Sequence, residues 1–151
     1  QNVLTLAREL SLKDGIVCQN PVRELSSWWN EEVSFEGQYT GNTDICYELN
    51  LKNTEKKWEV LIAGGLKLSW SPEEYVFRME FTDGKLGCGR GLRAREIKAC
   101  KDIRIVVDAS CVEVFMNGGK DVFSTRFYPE KDQYTVKASG EGLTGSYRYR
   151  V

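Results

Sequence analysis

Residues 103–129 read IRIVVDASCVEVFMNGGKDVFSTRFYP, and this stretch confines the fold more than any other part of the chain. Ile103, Ile105 and Val107 recur every second residue, the period a pleated strand imposes, up to a polar break at Asp108-Ala109-Ser110. Val112, Val114 and Met116 then alternate with Cys111, Glu113 and Phe115. Asn117-Gly118-Gly119 follows, and Asn and Gly accept positive φ at little steric cost, so a tight turn belongs there. The return strand occupies residues 122–128 and stops at Pro129, which has no N–H to give a ladder. The pattern predicts three consecutive antiparallel strands, a β-meander.

Similar runs fill most of the chain. Lys13-Asp14-Gly15 is a hairpin turn between short strands at residues 8–12 and 16–19. Pro21 then opens VRELSSWW, where Val22, Leu25 and Trp29 at spacings of three and four predict a short amphipathic helix. Further strands are expected at 33–39, 45–51, 58–63, 66–70, 75–81, 94–99, 133–138 and 146–151, with residues 84–92 a glycine-rich bulge or loop. About a dozen short strands with a turn every eight to twelve residues argue a two-sheet antiparallel sandwich.

Hydrophobic residues make up 41% and aromatics 11% of 151 residues, enough for one domain with a real core. The net charge of −1 gives nucleic acid no broad attraction. No apolar run approaches the ~20 residues of a membrane helix. The chain starts at Gln1 with no secretory pattern and reads as a piece of something longer. Its five cysteines show no CxxC spacing and there is no histidine, so neither a metal site nor a cofactor is expected. Unpaired thiols on strands suit a reducing, cytoplasmic setting; a secreted parent stays open.

The distinctive stretch also holds candidate catalytic groups. Within VDASCVEVFMNGG, residues 107–119, Asp108 and Glu113 are the two carboxylates, and retaining glycosidases hold such a pair about 5–5.5 Å apart. The competing and preferred reading is structural: Asp108 holds its turn, and Glu113 faces a basic neighbour such as Arg126. Serine or cysteine hydrolysis lacks a histidine base. Gly87-Cys88-Gly89-Arg90-Gly91 resembles a phosphate loop but opens no evident helix, and Arg90, Arg93 and Arg95 read as a charged edge. Trp28, Trp29, Trp58 and Trp70 offer flat faces for sugars, against a competing role in core or domain interface.

Two blocks carry a family resemblance. VDASCVEVFMNGG with TRFYP, together with LTLARELSLKDGIVCQNPVREL at residues 4–25, resembles the C-terminal β-sandwich module of glycoside hydrolase family 32, the invertases and other β-fructosidases. Ala109, Cys111 and Ala7 depart from the family pattern, where Arg, Ser and Pro are usual. The resemblance implies an all-β, two-sheet antiparallel sandwich of jelly-roll or concanavalin-like kind at residues 32–151. It implies the end of a catalytic propeller at 1–20 and a short linker helix at 21–31. It makes Asp108, Ser110, Glu113, Phe115, Asn117, Gly118 and Pro129 structural motif positions. The family's catalytic motifs (WMNDPNG-like, RDP, and Glu followed by Cys) are not in this sequence, so no catalytic residue carries over. The implied partner is an upstream propeller of the same parent, with sugar reached only through it and a homodimer left open.

Overall fold

The computed structural model describes residues 4–42 and 45–151. Two strands stand apart, β1 (Arg8–Lys13) and β2 (Ile16–Pro21), and pair antiparallel across a turn at Asp14 and Gly15, whose φ values are 51° and 74°. A 3₁₀ turn (Arg23–Ser27) leads to ten further strands: β3 (Glu31–Asn42), β4 (Cys46–Lys52), β5 (Trp58–Ile62), β6 (Leu66–Ser71), β7 (Val76–Phe81), β8 (Leu92–Glu96), β9 (Asp102–Asp108), β10 (Cys111–Met116), β11 (Asp121–Arg126) and β12 (Thr135–Tyr149). The predicted meander is β9-β10-β11, with Val112 opposite Val107 and Thr125.

All ten are antiparallel and form one sheet curled over into two layers. The curl is made by β12. Its first part pairs with β5 and its last part with β4, while β3 runs beside both. One layer is therefore β11-β10-β9-β4-β12-β3 and the other β8-β7-β6-β5-β12-β3. The register slips between Ser139 and Thr144, where Gly142 has φ 68° and Gly37 on the facing strand φ 74°. The sequence predicts a turn with two separate strands around Gly140 and Gly142; the structure instead bends one long strand, because β3 pairs through the corner and leaves no reversal.

The inner faces meet in a core of Leu49, Leu51, Trp58, Val60, Ile62, Leu66, Leu68, Phe77, Met79, Ile105, Val107, Val112 and Val114. Each such side chain contributes roughly 1.5–3 kcal/mol by leaving water. At the open edge the layers are laced by side chains. Phe77 packs on Phe123 at 4.5 Å between ring centroids, Arg95 lies 3.3 Å from Asp121, and Arg93 bonds the Ser124 carbonyl at 3.2 Å and Thr125 Oγ1 at 2.7 Å. The expected charged edge at Arg93 and Arg95 thus also bridges to β11.

Two local expectations change. The linker helix is a 3₁₀ turn, and Pro21 closes β2, since the Val22 N–H bonds the Ala7 carbonyl and carries hairpin pairing past the proline. Within residues 84–92 a one-turn helix, α1 (Gly84–Gly87), replaces the expected bulge. Asp83 caps it by accepting the Lys85 N–H at 2.9 Å, Leu86 is buried, and Cys88 ends it with φ 48°. The phosphate-like loop closes this helix and opens none.

Candidate functional site

Strands β9 and β10 are buried on both faces. Opposite the core, antiparallel register aligns Arg148, Glu48, Val106, Glu113 and Ser124 across β12, β4, β9, β10 and β11. The next row is Ser146, Asn50, Arg104, Phe115 and Val122. Residues from the N-terminal part of the chain lie over this outer face, where Leu6, Leu25 and Trp29 pack with Val106, Phe115, Cys46 and Val122.

Two buried carboxylates pin that cover. Glu48 accepts from Arg104 Nε at 2.7 Å, Asn50 Nδ2 at 2.7 Å, Arg148 at 3.2 Å and the Trp29 indole N–H at 3.2 Å. Glu113 accepts the Leu6 N–H at 2.6 Å and the Arg8 guanidinium, which also bonds Gln19 at 2.9 Å and Ser124 at 3.1 Å and lies over Phe115. Taking a carboxylate out of water costs several kcal/mol, so such groups persist only when fully paired. The expected partner of Glu113, Arg126, instead bonds the hydroxyl and carbonyl of Ser110.

The cover is stitched along its length. Asn20 bonds the Gly118 carbonyl at 2.9 Å, Arg148 the Ser26 carbonyl at 2.9 Å, and the Asn30 N–H the Tyr149 carbonyl at 3.2 Å. Gly119, at φ 90°, admits the approach of β2, since a Cβ there would lie 2.2 Å from the Gln19 carbonyl oxygen. By contrast, the hairpin presents Leu10, Leu12 and Val17 to solvent at 70%, 74% and 57% exposure. Leu12 and Val17 are opposite each other and Leu10 is two residues along, so the three share one face.

The sequence-derived candidates fall into different places. Asp108 lies exposed at the end of β9 and shares with Glu113 the rim of a cleft of about 80 Å³. That space admits a few waters, and both Glu113 oxygens are already bonded. Phe115 is buried beneath Arg8. Asn117 ties the turn after β10 to the segment leading into β9, giving its amide N–H to the Ala99 carbonyl at 2.8 Å and accepting the Lys101 N–H at 2.9 Å. Gly118, at φ 67°, donates its N–H to Asp102. Pro129 follows Tyr128, whose N–H reaches the Leu86 carbonyl at 2.9 Å.

Trp58 and Trp70 are core residues, Trp70 donating to the Ile97 carbonyl at 2.9 Å, and Trp29 is buried in the outer cluster. Trp28 is half-exposed, with the Arg150 guanidinium 4.2 Å from its ring centroid. Among the described residues no cluster of three or more His, Cys, Asp or Glu side chains is placed to hold a metal ion. Sequence reasoning missed Glu48. Its only trace is a carboxylate on a strand whose neighbours Tyr47 and Leu49 are apolar, a pattern shared with ordinary half-exposed strands.

A family model described as the C-terminal part of glycosyl hydrolases family 32 matches residues 75–148. A sucrose-6-phosphate hydrolase of Vibrio alginolyticus is 33% identical over 161 residues, covering 96% of this chain. The chain matches the C-terminal module of glycoside hydrolase family 32. Among solved structures, the family 32 β-fructofuranosidase of Bombyx mori matches with a TM-score of 0.77 at 27% identity over 97% of the module. The sucrose-6-phosphate hydrolase of Lactobacillus gasseri gives a TM-score of 0.82 at 18% identity, a likeness of fold. The module spans about a third of the length of the relatives it matches, 33% of the Vibrio protein and 32% of the Bombyx chain.

Proposed function

We propose that this family 32 module is non-catalytic and packs against the N-terminal catalytic domain of a β-fructosidase, stabilising it. Residues 1–20 belong to the edge of that domain, 21–31 form the linker and 32–151 the sandwich. The observation that carries the reading is the hairpin: Leu10, Leu12 and Val17 form an uncovered apolar face on strands fastened to the sandwich through Arg8 and Asn20. Apolar strand faces are ordinarily covered by other strands, and a second copy can cover this one when no catalytic domain is present. The parent's substrate class, sucrose 6-phosphate or another β-fructofuranoside, is inferred from the names of the relatives. The five cysteines are all unpaired, which supports a reducing compartment.

A fusion tests this. The Vibrio alginolyticus enzyme would be cut back by its C-terminal third and joined instead to the present chain. The fusion should melt at a higher temperature than the truncated enzyme, because a partner that binds only the folded state shifts its equilibrium. Leu12→Glu should remove that gain. No gain in the fusion, or hydrolysis of sucrose 6-phosphate by the 151-residue chain alone, would refute the assignment.

A further inference from the structure

Arg8 and Glu113 join β1 to β10, and their burial needs a reason. The Glu113 side chain is 3% exposed and that of Arg8 19%. Two charges leave water there, and an apolar pair of similar volume is often equally or more stable, so stability is a poor account of the pair. What an apolar pair lacks is direction. The Arg8 fork holds Gln19 of β2, Ser124 of β11 and the face of Phe115 together with Glu113, whose other oxygen takes the Leu6 N–H. One guanidinium thus ties both hairpin strands to two strands of the sandwich. Two other hairpin contacts, Asn20 to the Gly118 carbonyl and Gln19 against Gly119, lie along β2. Without the ion pair the hairpin would be held chiefly along that one line and could pivot about it.

We propose that Arg8 and Glu113 are positioning residues: an orientation lock that holds the hairpin at one angle to the sandwich and presents Leu10, Leu12 and Val17 pre-aligned to the catalytic domain. The choice of partner rests on the packing role proposed above; the lock itself does not. Pre-alignment lowers the ordering cost of docking.

Residual dipolar couplings of backbone amides in the 151-residue chain read the angle directly. In the unmodified chain the amides of β1 and β2 should fit the same alignment tensor as those of β4 to β12. In the double variant Arg8→Met with Glu113→Leu, the melting temperature should stay within about 5 °C, as an apolar replacement of a buried pair allows. Its hairpin couplings should nevertheless shrink about twofold or more through added motion. Hairpin couplings that still fit the common tensor would overturn the lock. So would a melting temperature that collapses with loss of dispersion throughout, since the pair would then be ordinary core stability. A hairpin that shares the tensor in a chain giving no thermal gain on fusion would count against the packing role alone.

Discussion

At residue scale the outer face of the β9-β10 layer is governed by carboxylates whose neighbours leave them no water. Glu48 is entirely buried and receives four side chains from β4, β9, β12 and the linker. Glu48→Ala would leave Arg104 without its counter-charge and Arg148 with only the half-exposed Glu32, 3.3 Å away, and breaking a buried pair typically costs about 3–5 kcal/mol. For a chain of this size that corresponds to a melting temperature lower by roughly 6–20 °C, readable by calorimetry. A loss below about 1 kcal/mol, the range of surface pairs, would mean the network is solvated. Cys100 adds a pH dependence. Burial pushes its thiol up to about 11 from the ordinary 9.0, against a hydrogen bond with Thr54 that opposes the shift. The folded state therefore holds the proton more tightly than the unfolded one. The resulting stability is complete below about pH 9 and is lost as pH rises toward 11. Urea titrations at pH 8 and pH 10.5 should show that fall, and Cys100→Ala should reduce it without abolishing it, since burial also pushes the Cys46 thiol up to about 11; an equal fall in the variant would place its cause elsewhere.

At element scale, what was legible in the sequence was what depends on local pattern. Alternation from Ile103 to Met116 gives β9 and β10 nearly to the residue, and Asp14-Gly15 and Asn117-Gly118-Gly119 mark real turns with positive φ. Failures occurred where distant pairing overrides local preference. Gly140 and Gly142 look like a turn, yet β3 holds both halves of β12 in a single ladder. Residues 84–87 look like a loop, yet the Asp83 cap and the anchoring of Leu86 make a helical turn. Asp83→Ala should cost about 1 kcal/mol, the usual value of a lost cap, measured as a shift in urea midpoint without a change of slope; no shift would mean that Leu86 alone fixes the turn. Gly119→Ala should be more severe, because it combines φ 90° with a Cβ 2.2 Å from the Gln19 carbonyl oxygen. Amides of β1 and β2 should then exchange faster while β5 to β7 stay protected, and uniform exchange would show the hairpin is not docked there. The long edge strand β3 carries exposed Glu31, Glu32 and Glu36 and the kink at Gly37, features that discourage pairing with another chain.

At the scale of the whole molecule, the two blocks that identify the family in the sequence meet in space. Arg8 of the first reaches Glu113 of the second across 105 residues of chain. The resemblance supplied the two blocks but not their contact, because pairing of distant strands has no signal in either block alone. The candidate site was legible as a set of structural residues and obscure as an arrangement. Glu48 and the role of Arg8 emerge only once the linker is seen lying on the sheet. This arrangement joins the sandwich, linker and hairpin through one outer cluster and leaves the apolar face of Leu10, Leu12 and Val17 uncovered.

Hydrogen exchange of the hairpin in the isolated chain and in its fusion to a family 32 catalytic domain tests that claim most directly. Burial of the exposed face should slow the amides of β1 and β2 by about tenfold or more, the range that separates a frayed edge from a covered one. The core amides of β5 to β7 should exchange at the same rate in both. Equal hairpin rates with and without the catalytic domain would contradict the account.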